Sequence, residues 1–328
     1  MTRIITVGPT GRDYTTLNEA ATATVAAYTD PPTDLQPWVF ECDAFVDTAG
    51  GGALDTISCT ADYNITLRAA EGHEHGGVVG AGYVQDRLNT VSTSHSLPAY
   101  GVARDVEFKT TGIYVGSALS LNTDVTLDRV IVNAQTADYA SRNAIDVNRS
   151  GTTTRNCLIL ANGRGIEARD PTTTIESCTV INTSGVSTLG IVSDGDTTIK
   201  NTAIIGFASE SVHGTPGTNT TNAIDDSAIT AVSITSADFV DYAGGNYAPA
   251  VGGALDGAGT DLSADFTDDI TGATRTQWDI GAYAIVASGG AITYMLQSAT
   301  WITVTPYVLD GGSWSEVTPK VLNQGAWI

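Results

Sequence analysis

One strand pattern recurs through the middle of the chain and constrains its fold more than any other feature. It runs through Leu127-Asp128-Arg129-Val130-Ile131-Val132, Thr154-Arg155-Asn156-Cys157-Leu158-Ile159, Ile175-Glu176-Ser177-Cys178-Thr179-Val180, Ile199-Lys200-Asn201-Thr202-Ala203-Ile204 and Ile224-Asp225-Asp226-Ser227-Ala228-Ile229. Each copy has an apolar or Thr residue, two polar residues, a small or apolar residue, then an apolar position two further on. A weaker copy surrounds Val106-Glu107-Phe108. From Val106 through Val130, Cys157, Cys178 and Thr202 to Ser227 the intervals are 24, 27, 21, 24 and 25 residues. A repeat of this length is one coil of a β-solenoid, with loops absorbing the variation. One coil cannot bury its own inward residues, but coils stacked ~4.8 Å apart give every strand a partner and share one core. About ten coils between residues 39 and 285 would make a rod roughly 50 Å long.

The ends of such a stack need covering. Thr16-Leu17-Asn18-Glu19 has the form of a capping box, and Leu17, Ala20, Ala21 and Val25 share one face of the helix it would open. Pro31-Pro32 stops that helix. A strand at Ile4–Val7, a turn over Gly8–Asp13 and this helix would plug the first coil, with early coil strands at Pro37-Trp38-Val39-Phe40 and Asn64-Ile65-Thr66-Leu67.

The opening Val7-Gly8-Pro9-Thr10-Gly11-Arg12-Asp13-Tyr14-Thr15-Thr16-Leu17 resembles the start of pectate-lyase-like right-handed β-helix proteins. The far end resembles their closing segment, in Ala254-Leu255-Asp256-Gly257-Ala258-Gly259, Asp269-Ile270-Thr271-Gly272-Ala273-Thr274-Arg275 and Asp279-Ile280-Gly281-Ala282-Tyr283, with Ala284 where Glu is usual. The resemblance spans residues 1–285 and implies an all-β chain: a right-handed parallel β-helix with an N-terminal capping helix and a small C-terminal β tail. It says little of function, since the superfamily includes lyases, hydrolases, adhesins and viral spikes. The expected organisation is a strand and capping helix over 1–30, the β-helix over 31–285 and a tail over 286–328.

Composition narrows the partners. A net charge of −21 with only three lysines, Lys109, Lys200 and Lys320, argues against nucleic acid, which calls for clustered cations. No stretch has the ~18 apolar residues of a membrane span, and the N-terminus lacks the apolar core of a secretion signal. Cys157 and Cys178 fall at one register of neighbouring coils, as buried free thiols or as a disulfide between coils; Cys42 and Cys59 lie in the first coils.

Beyond a short linker, Ala287-Ser288-Gly289-Gly290-Ala291, a second repeat begins. Trp301, Trp314 and Trp327 are 13 residues apart, Thr305-Pro306 recurs as Thr318-Pro319, and Val308-Leu309 recurs as Val321-Leu322. Units this small do not form a core alone. The three tryptophans are therefore expected to pack on another copy, on a partner, or on the chain's own last coil. The pattern resembles short repeats that end many tailed-phage structural proteins.

Catalytic signals are weak. Asp128, Glu176 and Asp225 each follow the first apolar position of a coil, which suits a carboxylate pair or a solvated face equally. Arg155, Arg164 and Arg169 lie near Glu167, Asp170 and Glu176, as base candidates or as ion pairs between coils. Asn122-Thr123-Asp124, Asp225-Asp226 and His213-Gly214 occur in the wrong order and spacing for a polygalacturonase site. Asp261, Asp265, Asp268 and Asp269 admit a calcium reading without the spacing of an EF-hand loop. No catalytic residue or cofactor is assigned. The expected function is a virion structural protein of a tailed phage or phage-like particle, as capsid decoration, spike or tail fibre. It would join other virion proteins or copies of itself through residues 286–328. The alternative is a spike that binds or cleaves host surface polysaccharide.

Overall fold

A computed structural model describes residues 2–49, 54–89, 94–112, 117–134, 143–169, 172–182, 184, 189–193, 195–225 and 231–285, and six short strands between 296 and 327. It divides into two compact units, 1–285 and 286–328.

The first unit is a right-handed parallel β-helix with three sheets. Sheet one has nine strands in stacking order: Arg3–Val7, Trp38–Cys42, Ile65–Ala69, Val102–Arg104, Thr126–Asp128, Thr153–Arg155, Thr174–Glu176, Thr198–Lys200 and Thr218–Thr220. Sheet two also has nine and sheet three six, so six coils carry all three sheets among the described residues. Register aligns one inward residue per coil. In sheet one the buried column includes Phe40, Leu67, Ala103, Leu127, Thr154, Ile175 and Ile199. In sheet two it includes Phe108, Val132, Ile159, Val180, Ile204 and Ile224, and in sheet three Leu119, Ile145, Ile166, Ile191 and Val212. Cys157 and Cys178 are buried free thiols in this core, and Cys42 and Cys59 are free as well.

The last repeat lies elsewhere than the pattern at Ile224–Ile229 suggests. Thr218–Thr220 pairs with Thr198–Lys200, and Ala223 pairs with Ala203, so the coil interval after Thr202 is 20 residues, ending at Asn222. Polar substitutions hide this copy: Asn219 stands in the inward column, and Asn222 Oδ1 accepts from Thr202 N at 2.8 Å. Ser227 lies outside the described residues.

Nor do residues 235–285 add coils. They form a strap across the outer face of sheet two. That face is apolar, with Ile131, Leu158, Leu160, Ile181, Ala203 and Ile205 buried against Phe239, Tyr247, Leu255, Ile270, Ile280 and Tyr283 in a second core. Ten coils therefore overestimates the stack, because a closing segment rich in the same short apolar runs packs laterally.

Six successive corners between sheets one and two, from the strand Val102–Arg104 onward, are each turned by a non-glycine residue in the left-handed region. These are Asp105, Arg129, Asn156, Ser177, Asn201 and Thr221, with φ of 47–58°. Asp and Asn tolerate this conformation better than other side chains. The strap follows this column of corners. Thr221 Oγ1 meets Thr260 Oγ1 at 2.7 Å, and Asn201 exchanges two bonds with the Thr260 backbone at 2.7 and 2.8 Å. Arg275 Nη2 donates to Asn156 Oδ1 at 2.9 Å, and Arg129 pairs with both Asp105 and Asp268. The strap's last contact is Tyr283 Oη donating to Gly77 O at 2.5 Å, back among the early coils.

The N-terminal strand is itself the first rung of sheet one, and the helix Leu17–Tyr28 covers the lumen with Leu17, Ala20, Ala21 and Thr24. Thr16 caps it by accepting from Glu19 N, while Glu19 reaches back to Thr15 N at 3.2 Å, one residue earlier than the capping box implies. Asp47, only 2% exposed, keys the plug to the coil: Oδ2 accepts from Leu17 N at 2.7 Å and from Tyr83 Oη at 3.2 Å. Asp47→Ala would leave both donors buried and unpaired, costing ~1–3 kcal/mol. Urea denaturation of the full chain should show that loss, with a smaller one for Asp47→Asn, which keeps an acceptor oxygen.

Candidate functional site

The carboxylates singled out in the sequence do not form a pair. Asp128 and Glu176 share an outward column of sheet one, but Arg155 stands between them. The column alternates in charge from Arg104 to Lys200: Arg104 and Arg155 reach Asp128 at 2.8 and 3.1 Å, and Lys200 reaches Glu176 at 3.2 Å, while Arg68, next to Arg104 in register, reaches back to Glu41 at 2.7 Å. Asp225 lies off this column and accepts from Gly206 N at 2.6 Å and Ser211 Oγ at 3.1 Å. This ladder satisfies charges between coils and leaves no proton donor beside a free carboxylate.

Sheet three holds the arrangement that does. Asp146 on the strand Asn143–Val147 is in register with Glu167 on Arg164–Ala168, so the two carboxyls project from neighbouring coils on one outward face. Their environments differ. Glu167 accepts from Asn143 Nδ2 at 2.5 Å, from Arg169 at 2.9 Å and from Arg164 at 3.4 Å. Burial opposes its ionisation, but the bonds from Arg169 and Asn143 outweigh burial and hold the carboxyl below its ordinary range. Asp146 is pushed up by burial, which outweighs the opposing pull of Arg169, and the charge of Glu167 adds a smaller push in the same direction as burial. Ser117 Oγ donates to Asp146 Oδ2 at 3.3 Å, and Oδ1 has no protein partner. Two carboxyls driven apart in acidity are what acid–base chemistry requires. Glu167 is wrapped by its cations and 7% exposed, which leaves Asp146 the more accessible of the two carboxyls. The sequence placed Glu167 beside Arg164 and Arg169 but missed Asp146. Its only signal was a matching position in Asn143-Ala144-Ile145-Asp146-Val147 and Arg164-Gly165-Ile166-Glu167-Ala168.

The acidic stretch of the strap is used internally. Asp269 Oδ1 accepts from Thr271 N and Ala273 N at 2.9 and 3.1 Å, and its Oδ2 accepts from Ala284 N at 2.9 Å. Asp268 pairs with Arg129, Asp261 accepts from Ser263 N at 2.8 Å, and Asp265 is exposed. The four do not converge, and no described group of three His, Cys, Asp or Glu side chains is placed to hold a metal. The other closing motifs serve the strap in the same way: Asp256 accepts from Gly252 N at 2.7 Å, and Asp279 accepts from Gly257 N at 2.7 Å and Ile285 N at 2.6 Å.

In the second unit, Trp301, Trp314 and Trp327 each lie on the second strand of a two-stranded antiparallel hairpin. Their cross-strand partners are Leu296, Leu309 and Leu322, also 13 residues apart. The sequence repeat therefore has three copies. The first, ending in Ser298-Ala299-Thr300-Trp301, lacks the glycine that marks the others at Gly312 and Gly325.

No protein-family model and no curated protein matches the chain. Among solved structures, the crystal structure of the pectate lyase Pel9A is similar, with a TM-score of 0.43 and 12% identity over 86% of this chain and 96% of that one. No described helix is long and apolar enough to cross a membrane.

The acidity of Asp146 gives a signed expectation. With its folded value above the ordinary 3.8, its contribution to stability is complete below that pH and is lost as pH rises through the folded value. Asp146→Asn should therefore melt higher than the native protein at pH 8. The difference should vanish near pH 3.5, as followed by circular dichroism.

Proposed function

We propose that this protein is a structural or attachment component of a tailed phage or phage-like particle, serving as a decoration, spike or fibre rod. Residues 286–328 join it to other particle proteins or to further copies of the chain. The observation that carries this reading is the tandem array of three hairpins with one Leu–Trp register. Two-stranded hairpins are marginal in water by themselves, so a repeated module of this kind gains stability by association. The rod fits a scaffold role: the motif residues of its closing segment are engaged in holding it together, and its outward charges are largely paired between coils. Its strong negative charge suits solubility in a crowded assembly and disfavours nucleic acid as a partner.

Truncation after residue 285 tests it. The 1–285 unit, which has both cores, should keep its far-ultraviolet spectrum and melting point within a few degrees, yet lose incorporation into particles or self-association in sedimentation by at least tenfold. Equal incorporation of the truncated chain would sink the proposal.

A second reading, cleavage of a host surface polysaccharide, has one observation in its favour: the Asp146–Glu167 pair with opposed acidities. Incubation with extracted capsular and envelope polysaccharides should then release reducing ends, and Asp146→Asn should lower that release ~100-fold or more. Equal product from both proteins would exclude this pair.

A further inference from the structure

The strap buries one cation whose surroundings the protein does not complete. Arg275 is 8% exposed. Its Nε donates to Asp268 O at 3.0 Å, and Nη2 donates to Asn156 Oδ1, Gly281 O and Ala282 O at 2.9, 3.1 and 3.0 Å. All four acceptors are neutral carbonyl or amide oxygens. Burial pulls the acidity of this guanidinium toward the neutral form, and Asp269, Asp279 and Asp268 oppose that only through space. Nη1 is buried and has no hydrogen-bond partner. Two further buried atoms lack one as well: Nδ2 of Asn156 and Oγ of Ser177, both on fully buried residues.

The residues that carry these atoms are neighbours. Asn156 and Ser177 occupy the corner position of successive coils, and Asn156 N donates to Glu176 O at 3.1 Å. Arg275 spans the gap, with Nη2 on Asn156 and on the 281–282 backbone. That backbone is in turn pinned to the same coils, through Ala282 N to Thr179 Oγ1 at 2.9 Å and Gly281 N to Asn201 O at 2.8 Å. A β-carbon on Gly281 would stand 2.8 Å from Thr179 Oγ1, a measure of how closely the strap approaches.

We propose that Arg275 Nη1, Asn156 Nδ2 and Ser177 Oγ enclose a binding site for a single-atom hydrogen-bond acceptor, a water oxygen or a halide ion, sealed beneath the strap. The chemistry follows from the donors. Two of the three atoms can only donate, and one carries the guanidinium charge, so a metal cation is repelled. Buried polar atoms left without partners are costly, and a water in such a site makes about three hydrogen bonds, the number offered here. The sequence motif that ends in Arg275 would then build a bridge whose last element is not protein.

Crystals of the full chain, native and soaked in bromide, test the site. The expected result is a density peak within ~3.3 Å of all three atoms. A bromine anomalous signal at the peak identifies a halide, and a peak without one identifies a water oxygen; either outcome upholds the site. No peak, or Arg275 Nη1 bonded directly to a protein oxygen, would overturn it. Ser177→Ala removes one contact and leaves Arg275 in place. It should lower the occupancy of the peak, and unchanged occupancy would contradict the three-contact assignment, in which Ser177 Oγ donates to a halide or accepts from a water.

Discussion

The turn from sheet one to sheet two governs the rest of this molecule. It is made in the left-handed region by non-glycine residues, coil after coil, from Asp105 to Thr221. Such a corner places a polar side chain at the same edge of each of these coils, and it presents the outer face of sheet two beside it. That face is apolar, so the coils alone would leave Ile131, Leu158, Ile181 and Ile205 in water. The strap meets both demands at once, covering the apolar face and bonding to the corner residues. The coils supply a continuous inner core, and the strap binds those coils to one another from outside.

Much of this was legible in sequence, and the misses have physical causes. The spacing from Val106 to Thr202 located real coils because inward positions must be apolar and must stack on like neighbours. It failed at the last coil, where Asn219 stands in register with Ile199 and Asn222 with Thr202, and Asn222 joins the hydrogen bonding instead. The strap was read as further coils, since its short apolar runs carry the same period-two signal as strands and nothing local says which face they cover. Runs such as Leu158-Ile159-Leu160-Ala161 did hold the clue: a strand apolar on both faces needs a layer on each side.

The candidate site was less legible than the fold. Asp128 and Glu176 looked like a pair because they share a column, but adjacency across coils depends on the residue between them, which is Arg155. Asp146 and Glu167 lie 21 positions apart in strands whose only identical pair is Ile145 with Ile166, so it is register that brings them together. Their opposed acidities arise from three-dimensional features: the wrapping of Glu167 by Arg169, Arg164 and Asn143, and the partial burial of Asp146. For the tail, the spacing of the tryptophans and of Leu309 and Leu322 was visible, whereas the matching Leu296 and the third hairpin emerged only from strand pairing.

In the function proposed above, a rod locked along its corners would supply rigidity and a tail of small repeated hairpins would supply association. The lock is the premise of that division, and native-state hydrogen exchange measured by mass spectrometry tests it most directly. If the strap is integral, amides of Ile280, Gly281 and Ala282 should exchange with the same opening free energy as those of Leu158–Ala161 and Thr179–Asn182 beneath them. If the strap exchanges orders of magnitude faster while sheet two stays protected, the coils stand without it and this account of the fold is wrong.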